Sequence, residues 1–444
     1  MKKAIGFNKA TGFATCFLVL FFTSYFQNGF SQAASPYSRY GLGYVRSTAF
    51  SANAGMGGLS AAYASMLHIN YTNPAAYASM TRTTIEMGAN FDGLNIKTKD
   101  SVYRAANGNL NHLAVAFVPK PDKWAVSFGL LPYTNINYNF IQTINDSAIG
   151  TFRNVYSGKG SLYQVYAGGA YKIKSRINER DNFSIGFNVG YVFGKLDYQK
   201  VISFPDTVRA YSSRNITSMN AGMFNYNAGI QYRRRIYHNK DNPDERTDIF
   251  MTLGVYGSGG IKMNAKISNY WDRYDVVSGA GVVSIDTQLA SFNQKYKLGM
   301  PYHIGAGFMF GNERFWFLGA DFTYSKWSDF TTPLDNGKLN DSWRASMGFQ
   351  ITPKYDDRKY FNKVQYRLGA YAGKSQFNYK GESLTEAAGT IGLGFPFKSV
   401  ARLNVTGDFG SRATANKNAI SETFYRITFG FVLNDIWFVK RKYD

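Results

Sequence analysis

Arg344 and Arg426 are the residues best suited to ligand chemistry in this 444-residue chain. Each falls on the polar face of an alternating segment, and Glu386 falls on such a face at a similar height. An arginine so placed can hold a carboxylate through two parallel N–H···O bonds. The same residues could instead form an Arg–Glu ladder that only stiffens an interior. Catalytic patterns are missing: there is no Gly-x-Ser-x-Gly, no His-Glu-x-x-His and no Gly-x-x-x-x-Gly-Lys-Ser/Thr. With 4 histidines a Ser–His dyad cannot be placed, and His68 reads as a hydrogen-bonded structural residue rather than a switch. The expectation is a protein that is not an enzyme and takes no cofactor and no metal.

The elements carrying these residues are strands. Phe183, Ile185, Phe187, Val189, Tyr191 and Phe193 are interleaved with Ser184, Gly186, Asn188, Gly190 and Gly194. Trp343, Ala345, Met347, Phe349 and Ile351 are interleaved with Arg344, Ser346, Gly348 and Gln350. Successive strand side chains point to opposite faces, so each segment has one apolar and one small or polar face. The pattern recurs along the chain after about residue 83. A barrel with lipid outside and a polar lumen needs that repetition. The 33 Tyr and 36 Phe suit aromatic girdles at the two membrane interfaces. A mean hydropathy of −0.28 is no objection, because half of each strand faces the lumen.

The start of the chain reads as a secretory leader. Lys2, Lys3 and Lys9 precede an apolar core from Phe13 to Phe22, and Ser31-Gln32-Ala33 supplies small residues for cleavage near Ala33 or Ala34. The only cysteine, Cys16, lies inside that core, so neither lipidation nor a disulfide is expected. No later run is long and apolar enough for a helical span. Secretion with strands alone points to a gram-negative outer membrane.

The formal charge is +21. Its sources crowd into short connections: Lys120-Pro121-Asp122-Lys123, Lys172 to Arg180, Arg233-Arg234-Arg235 and Pro353 to Lys363. These are solvated turns and headgroup contacts for outer-membrane lipid, and no nucleic-acid motif accompanies them.

Strands are expected near 83–91, 111–119, 124–138, 161–172, 183–198, 218–232, 248–262, 299–310, 315–327, 342–352, 364–377, 385–395, 401–408 and 423–433. The fold class is all-β: an antiparallel transmembrane β-barrel of about fourteen strands. Its connections alternate between compact basic ones and longer ones such as 92–110, 139–160, 199–217 and 263–298. Short turns face the periplasm in such barrels, so both barrel ends are periplasmic. The organisation is 1–34 leader, 35–82 N-terminal hatch and 83–444 barrel. The hatch segment carries no charge from Ser47 to Thr81 and should be buried in the lumen with small helices.

Within that segment run Gly55-Met56-Gly57-Gly58-Leu59-Ser60-Ala61-Ala62-Tyr63 and Tyr71-Thr72-Asn73-Pro74-Ala75. Placed ahead of about fourteen strands, they resemble the long-chain fatty acid transporter (FadL/TodX-type) family of outer-membrane proteins. The resemblance implies a hatch motif at Asn73, Pro74 and Ala75, and passive uptake of hydrophobic, fatty-acid-like small molecules. It also implies an inward kink in the third strand that opens the wall sideways. Gly129-Leu130-Leu131-Pro132-Tyr133 puts Pro132 where that kink would be, and proline cannot donate to a sheet ladder. A hatch pocket would be lined by Met56, Leu59, Tyr63 and Leu67, with Arg344 and Arg426 nearby for a polar head. Met66-Leu67-His68-Ile69 departs from the family's acidic or serine-rich lead into Asn-Pro-Ala. The competing expectation is a non-transporting barrel that serves other envelope proteins as a subunit of a secretion or assembly machine.

Overall fold

The computed structural model describes residues 35–437, except 99–100, 148–149, 175–180, 206–209, 238–247, 278–280, 313, 335–336, 380, 398–399 and 417–418. The expected leader, residues 1–34, lies outside the described residues. From Thr83 onward the chain is almost wholly strand. The first group is β2 (Thr83–Lys97), β3 (Val102–Lys120), β4 (Trp124–Asp146), β5 (Gly150–Lys174), β6 (Asp181–Ser203) and β7 (Ser212–Tyr237). Next come β8 (Ile249–Ser258), β9 (Lys262–Val277), β10 (Gly281–Gly299), β11 (His303–Asn312), β12 (Trp316–Ser325) and β13 (Ser342–Ile351). The last are β14 (Gln365–Tyr379), β15 (Glu382–Phe397), β16 (Ala401–Ala413) and β17 (Ser421–Asp435).

The ring closes where β17 pairs antiparallel with β2, from Ser421 opposite Lys97 to Asp435 opposite Thr83. β8 and β9 both lie against β7 and form one stave, interrupted at residues 259–261. β10 lies against β9 and β11 against β8, forming the next stave, interrupted at residues 300–302. The result is a closed 14-stranded antiparallel barrel.

The alternation decides the faces. Phe183, Ile185, Phe187, Val189, Tyr191 and Phe193 are exposed, while Ser184, Asn188 and Val192 between them are buried. Ten residue rises along β6 cover roughly 33 Å, or roughly 25 Å when tilted by about 40°, the height of a lipid-facing band. Among the described residues no helix is long and apolar enough to cross a membrane. Strands do the crossing.

Strand lengths differ from expectation. β4, β5, β6 and β7 have 23, 25, 23 and 26 residues, and β11, β12 and β13 have 10 each. Much of 139–160, 199–217 and 263–298 was expected as loop and is strand, most clearly the hairpin of β9 and β10. Above the lipid neither face needs to be apolar, so the pattern fades while pairing continues. One half of the wall therefore stands taller than the other.

The N-terminal segment lies inside the ring. It contains β1 (Tyr44–Val45), α1 (Ser51–Ala54) and two 3-10 turns, Pro36–Arg39 and Pro74–Ser79. Phe50, Ile69, Tyr71, Tyr77 and Met80 pack with wall residues such as Leu131 and Tyr166. Small wall residues make the approach possible. An added β-carbon at Gly186 would sit 2.4 Å from Ala75 N. At the tall wall, Leu42 joins Ile136, Leu162, Leu196 and Trp327 in a separate apolar cluster.

Candidate functional site

The lumen is organised by polar side chains that the wall strands point inward. The Asp321 carboxylate, on β12, accepts hydrogen bonds from Ser60 N at 2.5 Å and Ala61 N at 2.7 Å. Gln231, on β7, donates to Ala61 O at 3.0 Å, and Asn73 Nδ2 donates to the same oxygen at 2.6 Å. Asn227 donates to Thr72 O at 2.8 Å and Asn188 to Tyr71 O at 3.1 Å. The Asn73 side chain also accepts from Ala75 N at 3.1 Å, which caps the 3-10 turn that Pro74 begins. Asn73, Pro74 and Ala75 thus tie the segment to itself and to the wall.

Charged side chains form a second layer. Arg426 lies 2.5 Å from Asp92 and 3.4 Å from Asp408. Arg46, in the N-terminal segment, lies 2.9 Å from Asp92. Arg412 lies 2.7 Å from Glu386 and 3.5 Å from Glu422. Arg344 differs. It donates to Gly57 O at 3.0 Å and Ser346 Oγ at 3.3 Å, and its guanidinium sits 3.4 Å from the Tyr371 ring centroid. None of these partners is a carboxylate, and the same holds for buried Arg367, which donates to the amide oxygens of Gln350, Asn404 and Gln365.

His68 is buried, and its Nδ1 lies 3.7 Å from the Glu86 carboxylate, too far for a hydrogen bond. His112 approaches the same carboxylate oxygen at 3.8 Å, and Phe50 stacks on its ring at 3.9 Å. Burial, with the Arg367 and Arg402 guanidinia and His112 nearby, holds the His68 imidazole well below its usual range.

A cavity of about 360 Å³ opens above this layer. Val45, Leu131, Met223, Ile261, Met300 and Trp327 give it apolar walls, and Arg344, Glu386 and Arg426 give it a charged corner. Pro132 and Tyr133 border it too. There the wall changes. β3 and β4 pair from Lys120 opposite Trp124 to Leu113 opposite Leu130, and not above. β4 keeps its pairing with β5 but shifts register between Pro132 and Thr134, leaving Tyr133 as a bulge. β1 fills part of the vacated edge, with Tyr44 opposite Asn135 and Val45 opposite Thr134. A smaller cavity of about 60 Å³ lies in the seam, beside Arg46, Asp92, Ala105, Asn107 and Asn135.

The expected ligand residues divide. Arg344 and Arg426 line the cavity. Met56, Leu59 and Tyr63 pack with Met309 and Phe317 of the wall, away from it. Leu67 is half-buried, outside that cluster. Of the residues that grip the segment, the sequence pattern marks Asn188 as inward but does not distinguish Asp92, Asp321, Asn227 or Gln231. Their only sequence signal is a polar or acidic residue at an inward position of an alternating strand.

Known proteins share this architecture. TodX of Pseudomonas putida, a toluene transporter, superposes with a TM-score of 0.54 at 13% identity, covering 88% of this chain and 98% of that one. A FadL homologue of Pseudomonas aeruginosa gives 0.52 at 12% identity, covering 92% and 100%. At such identities the likeness concerns the fold, a FadL-type outer-membrane barrel. No curated protein matches the sequence. The model of one family, BamG, matches residues 9–444, and the chain therefore belongs to the BamG family.

Proposed function

We propose that the barrel takes up hydrophobic, fatty-acid-like small molecules passively and releases them sideways into the membrane. One observation carries this reading: β3–β4 pairing ends at Leu113 and Leu130, beside a bulge at Tyr133 and next to the lumenal cavity. A solute leaving there passes from apolar cavity walls to lipid without crossing the polar lumen. Arg344 would hold a carboxylate head, since it lines the cavity and its present hydrogen-bond partners are uncharged. Residues 35–82 act as the hatch that closes the lumen to water. The solute's own gradient drives transfer, and no bond is made or broken.

The test is uptake of a fluorescent fatty acid into vesicles with matched insertion. Pro132→Val restores a ladder donor and should slow uptake while the barrel still forms. Wild-type uptake no faster than that of empty vesicles would end the transport reading.

A second reading, an accessory barrel of an envelope machine, is favoured by the clamped N-terminal segment. Tyr44 and Arg46 stand between the two cavities, and both are tied to the wall. Purification in mild detergent with mass spectrometry tests it: a stoichiometric protein partner without apolar ligand supports this reading over transport.

A further inference from the structure

The outer surface of the tall wall carries lysines where a lipid-facing surface turns to headgroups. Lys195 on β6 is opposite Asn220 on β7. Asn220 is opposite Lys266 on β9, and Lys266 is opposite Lys295 on β10. Residues directly opposite in a sheet share a face, so these four side chains form one row across four strands. The row faces outward: Lys195 continues the exposed series ending at Phe193, whereas Met219, Ala221, Ala265 and Ile267 beside the row are buried inward. Lys297 sits one step lower on the same face, opposite Asn264.

Height identifies the medium. Lys195 is the first outward residue above the apolar series that starts at Phe183, and that series spans roughly 25 Å. Tyr191 and Phe224 meet just below it, with ring centroids 4.9 Å apart. The row lies at the end opposite the Asp435–Thr83 closure, the side with the longer strands. In a barrel with periplasmic ends, that is the outer leaflet.

The charges lack enough counterions of their own. Lys195 pairs with Asp197 at 3.0 Å. Among the described residues no carboxylate lies within ion-pair distance of Lys266, Lys295 or Lys297. Like charges directly opposite, as Lys266 and Lys295 are, destabilise a sheet unless an anion joins them. We propose that Lys195, Asn220, Lys266 and Lys295, with Lys297 below, form a binding site for the phosphate of an outer-leaflet glycolipid. The acyl chains lie along Phe193 and Phe224, and the phosphate accepts from the lysines and from Asn220 Nδ2. A free phosphate would gain the charge but not the apolar contact.

The experiment uses the mature protein in lipid nanodiscs and measures retention of bis-phosphorylated lipid A by native mass spectrometry. Dephosphorylated lipid A and inorganic phosphate serve as competitors. A lysine near a membrane surface contributes about fivefold in affinity for anionic lipid. Wild type should therefore prefer the phosphorylated lipid by at least about tenfold. The variant K195Q/K266Q/K295Q should lose that preference, and K97Q/K338Q, at exposed lysines outside the row, should keep it. Heat-modifiable gel mobility checks that each barrel is folded, and K266Q alone replaces the triple variant should the latter fail. Equal retention of the two lipids overturns the proposal. So does a preference unchanged by the substitutions, or displacement by inorganic phosphate as effective as by lipid A.

Discussion

Gly254 and Ala61 touch so closely that a β-carbon at position 254 would lie 1.8 Å from the Ala61 carbonyl oxygen. One is in the wall strand β8 and the other is in the segment inside the ring. That oxygen also accepts from Asn73 and Gln231, so the absent side chain is what lets three contacts converge. Gly254→Val should leave β8 paired but push residues 60–63 off the wall. Overpacking of this kind costs about 1–3 kcal/mol. Limited proteolysis should cut the 55–75 region of the variant faster, with barrel mobility on gels unchanged. Equal protection in both proteins would contradict the contact.

Val189 and Asn188 are neighbours with opposite duties. Val189 is 47% exposed on the lipid face, and Asn188 is 1% exposed and holds Tyr71 O. Val189→Arg should lower folding yield in vesicles by about 2–4 kcal/mol near the midplane. Asn188→Arg should insert more readily yet lose order around Tyr71 and Tyr77, because the lumen there is already filled. Equal insertion yields would mean the faces are misassigned.

The sides of the membrane can be read with single cysteines on a chain whose one native cysteine, Cys16, lies ahead of the barrel and can be replaced by Ser. Cysteines at Asn107 and Asn145 should react with an impermeant maleimide on intact cells. One at Lys174 should react only after the outer membrane is opened. The reverse pattern would invert the barrel.

His68 makes the N-terminal segment sensitive to acid. Its folded-state pKa is depressed by burial, so the unfolded segment binds the proton more readily. Stability from the neutral ring is complete above about pH 6.5 and declines as pH falls below it. Protection of the backbone amides of residues 60–75, corrected for the pH dependence of intrinsic exchange, should therefore fall from pH 7.5 to 5.5. His68→Gln should flatten the pH slope. An unchanged slope in the variant would assign it to another group.

The staves were legible because lipid imposes a period. A residue such as Phe187 or Val189 must be apolar wherever it faces hydrocarbon, and that requirement is local. The tall hairpin of β9 and β10 was not legible for the same reason. Above the bilayer both faces of β10 meet water, so nothing in residues 281–293 enforces alternation. Pairing there depends on the backbone of β9, which sequence pattern does not report.

The sequence by itself determined an exported β-barrel, its lipid-facing residues and an uncharged segment that had to be buried. It also put Arg344 and Arg426 on inward faces and Pro132 in the third stave. Only the tertiary structure decided what those residues meet. Arg426 finds its acid in Asp92, 334 positions away, because the last strand closes on the first. Arg344 faces Gly57 and Tyr371 rather than a carboxylate. Pro132 borders a bulge that the pairing of β4 with β5 fixes in place. Ring closure brings distant positions to one height, and side-chain reach then selects the partners. Local alternation contains neither piece of information.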